Sequence, residues 1–323
     1  VIIYSIPYIA SSFFTFKAMA ENILKVYSIS SEKAVECTPY DFKLEKNIQK
    51  LIESNMMEFF SIRLLQHEYC IPEGRMDSIG IDENNSPVIF EYKLNINQNV
   101  INQGLFYLDW LLEHKADFTL LVQEKLGHEI AKDIDWSQPS VVCIARDFTR
   151  YDLHAVKQID RNIRLIRYTP YKNDILILEQ LHSSNNARNN QSTKREPAID
   201  ASEKEKSQCV FLETLNKATS EVKELYKSLV DFIDELGDDI TSAQQKHYLA
   251  YKRFGNFTCI IMQVKQIVVF LKLDPSQAEI DGKFAIDSTN KHHWGTGDLQ
   301  LVIKNEEDLQ KALPLIQKAY EQS

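Results

Sequence analysis

Cysteine is scarce in this 323-residue chain, and the five present (Cys37, Cys70, Cys143, Cys209, Cys259) are scattered and odd in number. No C-x-x-C occurs and no cysteine–histidine pairing has zinc spacing, which argues against a zinc module. The thiols read as buried or incidental groups in a reducing cytoplasm. Positive charge is short as well. Lys and Arg total 37 against 46 Asp and Glu, and the net charge of −9 argues against a protein that coats nucleic acid non-specifically. A local nucleic-acid contact stays open, because a site that holds a metal must itself be acidic. His292-His293 has no metal-ligand pattern around it and is expected in a turn. No internal repeat, recognition helix or base-reading motif appears, and the second half has no spanning segment.

Two stretches divide the chain. Residues 1–18 are apolar, lack a basic leader region, carry a proline mid-segment and are short for a membrane span. They are expected to be an upstream extension, with ordinary sequence beginning at Met19. Residues 182–207 are polar, rich in Asn and Ser, and are expected to be a flexible linker. The expected units are therefore 19–181 and 208–323.

Chemistry concentrates between Arg75 and Tyr107. Asp77 lies on one expected strand (Arg75–Ile81), and Asp82–Pro87 is dense in turn formers. A second strand, Val88–Lys93, then ends in Glu91-Tyr92-Lys93. Alternation sends Glu91 and Lys93 to one face and Tyr92 to the other. Folding the hairpin in suitable register brings Asp77 near Glu91, and two carboxylates, a backbone carbonyl and a phosphate oxygen suffice for a hydrated divalent cation. Lys93 beside them could orient a water or stabilise developing charge.

The flanking helices fit the same site. Residues 43–60 place Leu44, Ile48, Leu51, Ile52, Met56 and Phe59 at helical spacing. Glu45 falls near the edge of that stripe, as a third acid facing the sheet, while Glu53 is expected in solvent. A helix over 100–114 carries Gln103, Tyr107 and Trp110 on one stripe. They would serve as packing residues or would contact substrate and position Lys93. Between Arg146 and Lys172, seven cations stand against three acids. Arg161, Arg164 and Arg167 there could track a phosphate backbone or form a solvated rim.

The order helix (43–60), strand (62–70), strand with Asp77, strand with Glu91 and Lys93, helix (100–114), strand (Phe118–Val122) resembles the αβββαβ core of the PD-(D/E)XK nuclease superfamily. The stretch Arg75, Asp77, Gly80, Asp82, Pro87, Val88, Glu91, Lys93 is similar to the hallmark of its NucS-like members. Ser86 stands where a glycine is expected, and Met76 where a proline often precedes the aspartate. Gln103 to Tyr107 resembles the Q-x-x-x-Y element of the RecB-like branch, and Glu45 the acid of the first helix. The resemblance covers roughly 38–180. It implies Asp77 and Glu91 as ligands of Mg2+ or Mn2+, Lys93 as the catalytic lysine, and Glu45, Gln103 and Tyr107 around it, with Arg75 among the nucleic-acid contacts.

In 208–323 one helix is expected over Val210–Leu236. Strands follow at Asn256–Met262, Ile267–Leu273 and Leu299–Ile303, and a helix at Glu306–Tyr320 closes the unit. The basic and aromatic run His247–Arg253, with Phe254 and Phe257, could stack on bases but reads better as core. That run and H-W-G-T-G-D-L look like a domain of unknown function sometimes labelled a predicted transport protein. The expectation is a mixed-sheet α/β restriction-endonuclease-like core with a separate C-terminal α+β domain. Its function would be metal-dependent hydrolysis of DNA in the cytoplasm, with nucleic acid as partner, no membrane, and a homodimer allowed. The alternatives are a non-catalytic nucleic-acid-binding module and an interaction or ligand-sensing protein of a defence or repair system.

Overall fold

The computed structural model describes residues 25–30, 32–94, 99–183, 210–237, 239–291 and 293–323. Residues 1–18, nearly all of 182–207, and His292 lie outside them.

A hairpin of β1 (Tyr27–Ser30) and β2 (Lys33–Glu36) leads to α1 (Glu45–Ser54) and α2 (Met56–Phe60). The expected single helix over 43–60 is broken at Asn55, whose φ of −130° leaves the helical region. Then come β3 (Arg63–Ile71), β4 (Gly74–Ile81), β5 (Pro87–Lys93), β6 (Ser140–Ala145), β7 (Asn162–Tyr171) and β8 (Ile175–Ser183). They form one six-stranded sheet in that order. The pairs β5–β6 and β6–β7 are parallel, and the other pairs are antiparallel.

Parallel neighbours need a crossover, and helices supply it. α3 (Val100–Glu113), α4 (Lys115–Leu126) and α5 (His128–Lys132) link β5 to β6, and α6 (Arg150–Gln158) links β6 to β7. Alternation along β5 sorts the core into two layers. Val88, Phe90 and Tyr92 pack with Ile48, Ile52, Met56 and Phe60. Ile89 faces the other way, with Val100, Leu108, Leu111 and Phe118.

Phe118–Val122, expected as a strand, is helical. Phe118, Leu121 and Val122 are buried at i, i+3 and i+4, the spacing of one helix face. The strand that returns beside β5 is instead β6, whose residues Ser140–Ala145 are all buried. β8 also runs into the expected linker, since His182 pairs with Leu165 and Ser183 with Arg164.

The second half has α7 (Val210–Lys217) and α8 (Ser220–Glu235) where one helix is expected. The break is a new start. Thr219 is extended and its hydroxyl accepts from Val222 N, an N-cap. Strands β9 (Thr241–Gln244), β10 (Leu249–Lys252), β11 (Asn256–Gln263), β12 (Gln266–Leu271), β13 (Ala285–Asp287) and β14 (Leu299–Ile303) follow, and then α9 (Glu306–Glu321). The strands pair antiparallel in the order β13-β14-β12-β11-β10-β9. Phe211, Leu225, Leu229, Ile233, Leu309 and Ile316 cover one face of this sheet. Tyr248 and Tyr251 of the basic and aromatic run are buried, so the core reading of that run holds.

The β4–β5 turn joins the two sheets. Asp82 accepts from the Asn84 and Ser86 amides through Oδ1, while Oδ2 lies 3.1 Å from Lys252 Nζ. Asn84 and Asn256 exchange side-chain hydrogen bonds of 2.8 and 3.2 Å, and the Tyr248 hydroxyl donates to Asn84 Oδ1. Glu83 accepts from Asn256 N at 2.8 Å. Asn85 takes φ 59° in this turn, so the position needing glycine-like freedom is Asn85 and not Ser86, which is buried.

Candidate active site

β4 changes faces at Asp77. Ser78 Oγ donates to Glu53 Oε1 on α1 at 2.7 Å, yet Met76, two residues earlier, packs in the cluster with α3 and α4. Regular alternation would put both on one side. The partner strand turns over at the same level. Glu68 lies between the pairs His67↔Ser78 and Tyr69↔Met76, hence across from Asp77, and has φ 48°. A left-handed residue in a strand breaks the ladder and re-aims its neighbours.

On the other side, the β4–β5 ladder reaches Ser78↔Phe90. One step further, side chains carry the hydrogen bonds. Tyr92 N donates to Asp77 Oδ2 at 3.0 Å, and Asp77 N to Glu91 Oε1 at 3.4 Å. Both carboxylates therefore stand at the point where the strands part.

Glu91 is fully buried, and its Oε2 has no hydrogen-bond partner. Burial, and then the neighbouring Asp77 charge, push its carboxyl up to about 9. Burial also raises Asp77, with the Tyr92 amide, Lys93 and Arg75 opposing and Glu45 adding to the rise. Two acids deprived of water crowd one another, and a positive charge would relieve both. Cys143, beside Glu91 in the β5–β6 register, is buried, and its thiol is pushed far above the ordinary range.

Glu45 opens α1 and lies over the end of β5. Its Oε2 accepts from Leu94 N at 3.1 Å, and its Oε1 is 3.6 Å from Lys93 Nζ. The Lys93 side chain is only 14% exposed, so Glu45 holds the ammonium near the acids. Glu53, expected in solvent, instead accepts from Ser78 and from Gln49 Nε2 at 2.9 Å. Glu45, Gln49 and Glu53 are four apart and form one polar stripe beside Ile48 and Ile52. Gln49 Nε2 also reaches the Asp77 carbonyl at 3.1 Å. Sequence reasoning missed Gln49, which the i, i+4 spacing from Glu45 marks, and Ser78, which no spacing marks.

The Tyr107 hydroxyl accepts from Arg75 N at 3.2 Å and from Gln103 Nε2 at 3.3 Å. These two side chains thus hold the start of β4 through the Arg75 amide, and the hydrogen bonds of neither run to Lys93. Gly74 permits the approach, since a Cβ there would lie 2.9 Å from the Tyr107 oxygen. Among the arginines, Arg164 is buried and donates to the Phe254 carbonyl. Alternation puts it on the face opposite Arg167. Arg167 is paired with Glu179 and Asp147, and Arg161 is exposed. The expected three-arginine track is therefore not a single surface.

Asp77 and Glu91 remain a pair. Among the described residues no group of three or more His, Cys, Asp or Glu is placed to hold a metal ion. The donor chemistry still fits a hydrated hard cation, which needs one or two carboxylates and keeps several waters. The unpartnered, buried Glu91 Oε2 is an open acceptor for it.

Residues 213–323 match the family described as Domain of unknown function (DUF5655). An uncharacterised protein of Haemophilus influenzae is 29% identical over 300 residues, 92% of this chain and 99% of that one. Among solved structures, a repair endonuclease from Pyrococcus abyssi is similar at 16% identity and TM-score 0.27, covering 40% of this chain and 49% of that chain. An EndoMS–dsDNA complex is similar at 14% identity and TM-score 0.26, covering 42% and 50%. The match spans about half the length of each solved structure. No helix among the described residues is long and apolar enough to cross a membrane.

Proposed function

We propose that this protein is a metal-dependent nuclease that hydrolyses DNA phosphodiester bonds. Its site would lie in a restriction-endonuclease-like αβββαβ core, with residues 208–323 positioning substrate or a partner. The observation that carries the reading is the Asp77–Glu91 pair, two desolvated carboxylates at a strand divergence with one oxygen unsatisfied. Asp77 and Glu91 would hold Mg2+ or Mn2+. When bound, such an ion supplies polarisation of a phosphoryl oxygen and a more acidic water.

The chain's own groups do the rest. Lys93, steadied by Glu45, orients the attacking water and balances charge that develops on the phosphoryl group. Gln49 fixes the Asp77 main chain, and Tyr107 with Gln103 fixes the strand leading to it. The test is nicking of circular single- and double-stranded DNA with Mg2+, Mn2+ or EDTA, by the wild type, Asp77→Ala and Lys93→Ala. Metal-dependent nicking lost in both variants is expected. Full activity in Asp77→Ala overturns the site, and binding without cleavage shifts the reading to a non-catalytic nucleic-acid-binding module.

A further inference from the structure

Beside the carboxylate pair, two cations from different elements converge on one acid. Lys46 Nζ, on the first turn of α1, lies 3.8 Å from Glu68 Oε1, and Arg75 Nη1, at the start of β4, lies 3.5 Å from Glu68 Oε2. Each cation adjoins a residue of the proposed site, Lys46 next to Glu45 and Arg75 two before Asp77. The Lys46 and Arg75 side chains are 76% and 55% exposed, so a large anion can reach both.

Glu68 takes a backbone conformation that few non-glycine residues adopt, in the middle of a strand. Kept in register, its carboxylate would face Asp77 and, beyond it, Glu91. Turned over, it bridges Lys46 and Arg75 with two oxygens, as a phosphodiester with two free oxygens would. Exposed ion pairs of this kind are weak, so a polyanion can displace the carboxylate.

We propose that Lys46 and Arg75 form a phosphate-binding subsite beside the carboxylate pair, occupied in the free protein by Glu68 as an internal stand-in for a nucleic-acid phosphate. This rests on the nuclease reading only in taking nucleic acid as the ligand. Glu68 then sets the affinity. Binding the phosphate costs the release of that carboxylate, which weakens attachment of non-substrate anions as well.

The test is fluorescence anisotropy of labelled single-stranded and duplex oligonucleotides in EDTA over a salt series, with the full chain. The variants are Lys46→Gln, Arg75→Gln and Glu68→Gln, with Glu279→Gln, an exposed acid of the second half, as a control for net charge. Lys46→Gln and Arg75→Gln should each weaken binding several-fold and lower the slope of log K against log salt by about 0.7–0.9. Glu68→Gln should tighten binding about threefold or more beyond the control. If Glu68→Gln matches Glu279→Gln, its turned backbone merely relieves repulsion from Asp77 and the proposal fails. Unchanged salt slopes in the two cation variants overturn it equally. Because cleavage is not read, a chain that binds in this pattern yet never nicks DNA sinks the nuclease reading and leaves the subsite standing.

Discussion

Asp82, at the tip of the hairpin that carries Asp77 and Glu91, is ion-paired at 3.1 Å with Lys252 of the other sheet, and both side chains are almost wholly buried. The partners are 170 residues apart in sequence. The strand that presents Asp77 is therefore held near its middle by α1 and at its end by the second half of the chain.

Removing one member of a buried pair strands the other charge, which typically costs about 3–5 kcal/mol. Lys252→Met should lose stability on that scale in chemical denaturation. The double variant Asp82→Asn/Lys252→Met should recover a large part of it. A double variant that loses the sum of the Lys252→Met and Asp82→Asn losses would show that the pair is not coupled.

Glu91 titrates in the folded protein at about 9, above its ordinary value of 4.5. The folded state thus holds this proton more tightly than the unfolded chain. Its contribution is fully present below the unfolded value and is lost as pH rises through the folded one. Without added metal, Glu91→Gln should gain stability relative to wild type as pH rises, most clearly at about pH 9. A gap between the two proteins that stays constant across pH would contradict the assignment.

A cation that binds Asp77 and Glu91 must displace that proton. Mg2+ or Mn2+ should therefore raise the Tm more at about pH 8 than at about pH 6. Asp77→Asn should abolish the increment. The same shift in that variant would mean that the ion sits elsewhere.

Tyr107→Phe removes the acceptor of the Arg75 amide and should cost about 1 kcal/mol. Gly74→Ala should cost more, about 1–3 kcal/mol, because the new methyl would lie 2.9 Å from the hydroxyl and 3.0 Å from the ring of the buried Tyr107. Thermal melts of both variants, with a spectroscopic check of the fold, measure this directly.

Periodicity made much of the framework legible. α3, β4, β5, β14 and α9 lie within a residue or two of the ranges expected from helical spacing or alternation. Where periodicity is ambiguous, it failed. The run Phe118–Val122 is apolar at both strand and helix spacing, and only its packing against α3 decides. The polar composition after Leu181 hid the end of β8, because an edge strand needs few apolar residues. At the site, the spacing of Asp77, Glu91 and Lys93 was visible, but the change of face at Asp77 was not. It depends on the backbone of Glu68, on the neighbouring strand, whose φ no hydropathy pattern reports. Glu53 was misplaced for a similar reason, since its partner Ser78 lies on a different element.

The turn Asp82–Ser86 also bears on how the chain divides. A polar stretch between two sheets invites a cut at about residue 207, yet side chains before and after it meet directly. The Arg164 guanidinium finds its carbonyl at Phe254, Asp82 finds its ammonium at Lys252, and Asn84 finds its amide partner at Asn256. Severed there, the first half would carry three wetted polar wounds at the root of its own candidate site. The two pieces should therefore unfold together.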